Sequence, residues 1–201
     1  MSFTVAITVF ALILPAELPD KTFIASLVLA TRFRAVPVVI GAALGFAVQC
    51  VIAVAAGSAV ALLPTTLVHA VSAAMFAIGA VLMLRSERDP KGEERKVEAE
   101  IADVVAAPSN RRVILTSFLV LFLAEWGDLT QLLTASLSAK YHQPIAVFAG
   151  SWLALVAVAS LAVTGGKALL RVISLEWVRR IAAVAFAAVA IVTALEAADV
   201  L

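Results

Sequence analysis

Residues 13–23 read ILPAELPDKTF and interrupt a long apolar segment, with FTVAITVFALIL (residues 3–14) leading in and FIASLVLA (residues 23–30) leading out. Pro15, Pro19 and the ionisable groups of Glu17, Asp20 and Lys21 stand where a run suited to lipid would continue. One ionisable group in a bilayer costs at least ~2.5 to 3.5 kcal/mol on insertion scales, so such groups at membrane depth mark function by default.

The rest of the chain supports a lipid setting. Hydrophobic residues make up 63% and charged residues 14%, and the mean hydropathy is +1.07, well outside the averages for soluble domains. The chain reads as an all-α integral membrane protein. Its 15 basic and 14 acidic residues fall mostly between the apolar runs and near their ends. Neither nucleic-acid binding nor an enzyme's catalytic constellation finds support. The single cysteine, Cys50, has no partner for an intrachain disulfide or a cysteine metal site, and it is expected to be a small buried apolar side chain. The N-terminus lacks a basic n-region and a small-residue cleavage site, so the first run is expected to remain as a span.

Crossing a hydrocarbon core of ~30 Å takes about 20 residues. Six stretches qualify, roughly residues 3–31, 36–62, 67–84, 113–138, 144–166 and 180–198. The connectors are short except for the polar segment from Arg85 to Arg112. Within it, EERKVEAEIADVVAA sets Val97, Ile101, Val104 and Val105 on one helical face, which predicts a short surface helix, the alternative being a solvated connector. Bases are concentrated after the first, third and fifth spans, whereas the opposite side carries only Lys140. The base-rich connectors are therefore expected to be cytoplasmic and both termini outside.

An internal repeat gives the organisation. A shift of 108 residues aligns AELPDKTFIAS (Ala16 to Ser26) with AEWGDLTQLLT (Ala124 to Thr134), so that Glu17 meets Glu125, Asp20 meets Asp128, Thr22 meets Thr130 and Ser26 meets Thr134. Residues 1–84 and 113–201 then form two three-helix repeats joined by a cytoplasmic linker at 85–112. An odd number of spans per repeat inverts the second relative to the first, an architecture of many secondary transporters with broken helices near the midplane.

The shared E-x-x-D has a chemistry. Residues three apart lie about 60° from each other around a helix, so each pair is expected on one face. Four carboxylates at matching depth call for a cation. Hard divalent ions such as Ca²⁺, Mn²⁺ or Mg²⁺ take oxygen ligands, which these motifs offer as carboxylates, hydroxyls, the Gln131 amide and freed backbone carbonyls. Pro15 and Pro19 remove helical donors and are expected to bend or unwind the first helix, and Gly127 loosens the second by a different route. Thr22 would lie about 140° from Glu17 in an unbroken helix. It and Thr130 either turn inward at the break or bond to their own helix carbonyls.

These residues carry a resemblance. ELPDKTF and EWGDLTQ, in two inverted three-span halves joined by a polar loop, resemble the paired E-x-G-D-(K/R)-(T/S) motifs of the transmembrane protein 165 family, which contains the yeast Gdt proteins and many short bacterial members. The resemblance covers essentially the whole chain. It implies a cation/proton antiporter that moves Ca²⁺ or Mn²⁺, with the family's acidic residues falling on Glu17, Asp20, Glu125 and Asp128. Pro19 stands where the family has glycine, and Leu129 where it has lysine or arginine.

The expected mechanism is alternating access, in which one divalent cation and protons compete for the carboxylates and the metal leaves the cell. Lys21, four residues after Glu17, is expected to pair with it on one helical face. Leu129 offers Glu125 no such cation, so Glu125 is expected to be the principal proton carrier. Ser26, Thr134 and Gln49 are further pathway candidates. Gly41 and Gly45 form a G-x-x-x-G packing face, Trp126 is expected beside the cavity, and His69, His142, Glu196 and Asp199 at span ends. A passive cation channel and a small amino-acid exporter are the rival readings. No resident cofactor is implied, and the sequence is silent on oligomeric state.

Overall fold

A computed structural model describes residues 2–18, 20–85, 90–101, 109–172 and 175–198, and all regular structure among them is α-helical. Pro19, Val104, Val105 and Asp199 lie outside the described residues. The elements are α1 (Phe3–Glu17), α2 (Lys21–Arg32), α3 (Ala35–Val60), α4 (Thr65–Arg85), α5 (Pro90–Ile101), α6 (Asn110–Ala124), α7 (Leu129–Tyr141), α8 (Pro144–Val172) and α9 (Leu175–Ala197). Without water to satisfy backbone groups, apolar runs of this length close their hydrogen bonds internally as helices. Prolines mark several starts: Pro37 sits in the first turn of α3 and Pro144 opens α8, positions where a missing N–H costs nothing.

Four helices are long and apolar enough to cross a membrane: α3, α4, residues 144–165 of α8 and residues 180–197 of α9. Two further crossings result if each bent pair counts as one span, α1 with α2 at 69° and α6 with α7 at 75°. The described architecture thus holds four to six spans, and both bends fall in the E-x-x-D motifs. Helical structure also reaches beyond the apolar runs. Most of GGKALLRVISLEWVRR, expected as a connector, lies in α8 and α9, because lysine, arginine, leucine and alanine are good helix formers whether or not lipid surrounds them.

The packing centres on α3, which runs against α6, α7 and α8, while α1 lies along α8 and α4 along α9. Gly41 makes the α3–α6 approach possible: a methyl group there would overlap the Ile114 carbonyl oxygen and come within 2.7 Å of Ser117 Cβ. The G-x-x-x-G face therefore packs helix on helix. In the central polar segment α5 is the expected short helix. Its Val97 and Ile101 are buried, α5 packs on α2 and α6, and Glu98 pairs with Arg32 of α2 at 3.0 Å.

Candidate cation site

Each motif breaks its helix at the same place. Glu17 is the last residue of α1 and Asp20 the N-cap of α2; Glu125 is the C-cap of α6 and Asp128 the N-cap of α7. In both breaks the aspartate N–H donates to the glutamate carbonyl three residues back, Asp20 to Glu17 at 3.0 Å and Asp128 to Glu125 at 3.2 Å. The acids of a pair therefore do not share one helical face. They flank a tight turn, after which the helix direction changes. Pro15 does not end α1, which continues through it to Glu17; losing one donor near the end of a helix leaves its last turn intact. Gly127 adopts φ +71°, which suits a residue without Cβ and turns the second break.

The breaks meet in the interior. Glu17, Glu125 and Asp128 each present a carboxylate oxygen within 4.8 Å of the others. Oxygens bound to one Ca²⁺ at 2.3–2.6 Å can be at most about 5 Å apart, so the spacing suits one shared cation. Glu17, Asp20 and Glu125 are buried. Asp20 is outside the three-residue group, and its carboxylate accepts from the backbone N–H of Lys21, a cap at the start of α2.

Four of the polar links around the cluster join residues from either side of the central segment. Thr130 Oγ1 donates to Glu17 Oε1. Lys21 Nζ lies 3.8 Å from Asp128 Oδ1; the turn after Glu17 removes the continuous helical face on which a Glu17–Lys21 pair was expected. Gln131 Nε2 donates to Gln49 Oε1 at 2.6 Å, Gln49 Nε2 donates to the Phe122 carbonyl at 2.6 Å, and Gln131 Oε1 accepts from the Gly127 N–H at 2.9 Å. Thr134 Oγ1 donates to Ser151 at 3.3 Å. The hydroxyls of Thr22 and Ser26 are buried, with no hydrogen-bond partner among the described residues. Neither motif threonine takes the alternative of bonding to its own helix: Thr130 reaches across to Glu17, and Thr22 bonds to nothing described.

Two cavities border this arrangement. One of about 10 Å³ is lined by Gln49, Cys50, Glu125, Thr130, Gln131 and Thr134, among others, and so gathers four of the six pathway candidates around Glu125. Cys50 is buried in the core, as expected, and also borders this cavity. The signal for the latter was its position next to Gln49. The second cavity, of about 100 Å³, lies between α2, α5 and α6 and is lined by Lys21, Lys96 and Val97 among others.

Other expectations are displaced. Trp126 does not pack beside the cavity: it is 60% exposed, with its ring 5.2 Å from that of Phe122. Gly127 re-aims the chain directly after it. Leu129 packs on the interior and sits near Gly79 of α4. Glu196 does lie at the end of α9, as expected, where it pairs with Lys140 at 2.7 Å, and Lys140 also donates to Thr193 at 2.6 Å.

Comparison with known proteins yields a consistent result. The family model described as "Divalent cation/proton antiporter GDT1" matches residues 5–91 and 113–200. A GDT1-like protein of Synechocystis sp. is 32% identical over 165 residues, covering 78% of this chain and 80% of that protein. GDT1-like protein 3 of Oryza sativa subsp. indica is 31% identical over 192 residues, covering 88% of this chain and 68% of that protein. Protein PAM71, chloroplastic, of Arabidopsis thaliana is 29% identical over 209 residues, covering 93% of this chain and 55% of that protein. No solved structure matches.

Proposed function

The chain belongs to the GDT1 family of divalent cation/proton antiporters, and from that premise we propose that it exchanges Mn²⁺ or Ca²⁺ for protons and exports the metal from the cytoplasm. The observation that carries the reading is the group of buried Glu17 and Glu125 with half-buried Asp128, whose oxygens approach closely enough to share one ion. Oxygen-only ligands of this kind suit hard divalent cations. A metal ion and protons compete for the same carboxylate oxygens, so loading one releases the other.

In this reading the two motif halves form six spans as inverted three-helix repeats, and the site lies where their broken helices meet near the midplane. Alternating access exposes the carboxylates first to the cytoplasm, where metal displaces protons, and then to the outside, where protons displace metal. With protons more concentrated outside, the metal leaves. The cavity bordered by Lys21 and Lys96 is the cytoplasmic approach, because α5 belongs to the base-rich central segment. The proposed location is a plasma (inner) membrane with both termini outside.

The orientation makes a direct prediction. In a background with Cys50 replaced, a cysteine introduced at Lys91 is expected to be shielded from impermeant thiol reagents in intact cells, whereas one at Leu63 reacts. The reverse labelling pattern would overturn the orientation and the direction of export.

The function itself is tested by reconstituting the protein in vesicles that hold a pH gradient and adding Mn²⁺, Ca²⁺, Mg²⁺ or a panel of amino acids. Mn²⁺ or Ca²⁺ is expected to dissipate the gradient in proportion to metal uptake. Metal flux without proton movement would mark a channel, and dissipation by amino acids alone an amino-acid exporter; either result removes the exchanger reading.

A further inference from the structure

Breaking a helix releases backbone groups that must find other partners inside a membrane. At the second motif the groups on either side of Glu125 are exposed in this way. In a continuing helix the Phe122 carbonyl would accept from Trp126 N–H, and Gly127 N–H would donate to the Leu123 carbonyl. Instead Trp126 N–H turns to Leu123 O at 3.3 Å. The two groups left over are taken by side chains: Gln49 Nε2 donates to Phe122 O at 2.6 Å, and Gln131 Oε1 accepts from Gly127 N–H at 2.9 Å. The amides are themselves joined, Gln131 Nε2 to Gln49 Oε1 at 2.6 Å. An unbroken relay therefore runs from the end of α6, through α3, to the turn that leads into α7.

We propose that Gln49 and Gln131 are positioning residues: a two-amide relay that bridges the broken second motif and holds Glu125 and Asp128 at the spacing a bound cation requires. The relay spans the turn in which both acids sit, a turn that also carries the Asp128 N–H to Glu125 O bond. Gln49 is buried at 3% exposure, so its amide hydrogen bonds are not in competition with bulk water. The same alignment that matches the motifs puts Phe23 opposite Gln131, and Phe23 is buried against Val158 and Ala162. The first break has no amide at that place. The second half of the site is thus braced by side chains from outside its own turn, by a device the first half does not share. The backbone groups that the two amides hold lie on either side of Glu125, and the glutamines act on the ion through the carboxylates they fix in place.

This inference rests on the cation-site reading, and its test uses equilibrium binding so that the two can fail separately. Purified protein in detergent is unfolded thermally across a range of Mn²⁺ and of Ca²⁺ concentrations, for the unsubstituted chain, Gln49→Leu and Gln131→Leu. Residues that orient metal ligands typically change affinity by about 10–100-fold when removed. Each variant is therefore expected to need about tenfold or more metal for half of its stabilisation, with a changed ratio between the two ions because they differ in size and ligand geometry. A merely structural role would lower the melting temperature without metal and leave the metal concentration dependence untouched; that result, in either variant, overturns the relay. Gln131→Leu supplies the measurement if Gln49→Leu fails to accumulate, because Gln131 is only half-buried and tolerates change more readily. If neither ion stabilises the unsubstituted protein, the cation site itself is what fails.

Discussion

Glu17→Gln, Glu125→Gln and Asp128→Asn are each expected to lower metal-driven proton exchange by about 100-fold or more, which corresponds to ~2.7 kcal/mol. The magnitude follows from the charge. Two unit charges 4 Å apart at an effective dielectric of 20 interact by about 4 kcal/mol, and a divalent ion in direct contact with a carboxylate gains more than that. Losing one charge from a group of three oxygens within 4.8 Å therefore outweighs the threshold. Neutralising a buried acid removes a desolvation cost, so the variants should still insert and accumulate.

The fourth acid is expected to differ. Asp20 caps α2 through the Lys21 N–H, and asparagine caps a helix about as well as aspartate. Asp20→Asn should thus lose no more than about tenfold, a smaller effect than at the other three positions. The measurement is vesicle exchange normalised to the amount of inserted protein. A loss at Asp20 equal to the others would bring it into the ligand set, and normal transport by the other three variants would remove the site assignment altogether.

This graded outcome follows from what the motif stretches do and do not reveal. The duplication of Glu17, Asp20 and Thr22 as Glu125, Asp128 and Thr130 is explicit in the sequence, as are the apolar lengths that mark the spans. The partners are not explicit. Helical spacing assigns neighbours only while the helix continues, and it stops between each glutamate and its aspartate. Lys21 therefore meets Asp128 of the other motif, and Thr130 meets Glu17. The same limit hides the direction of side chains beyond a break: Gly127 turns the chain so that Trp126 faces outward and Leu129 faces α4. Gln49 was visible as a polar residue in an apolar run. Its role depends on a carbonyl released by a break 73 residues away in the chain, and no local pattern signals that.

The cross-motif ion pair leads to the second large expectation. Lys21→Met should lower the metal concentration needed for half-maximal exchange by about tenfold and lower the maximal rate alongside it. An ammonium 3.8 Å from Asp128 Oδ1 repels a divalent cation approaching the same carboxylate and competes with it for that oxygen. Partial exposure of the lysine side chain, 43%, screens the effect and holds it near one decade. Without the lysine the metal binds more tightly, and tighter binding that is not matched in the transition to the opposite-facing state slows release. Lys21→Arg keeps the charge and should stay near the unsubstituted concentration dependence. A lysine at position 129 starts from a different place than the one at 21, since the half-buried Leu129 side chain packs against the core near Gly79 of α4. If instead Lys21 serves only as a tie between the two motifs, Lys21→Met will weaken the fold and leave the half-maximal metal concentration where it was. Metal titrations of exchange, run on Lys21→Met and Lys21→Arg side by side, decide between a competing charge and a structural clasp.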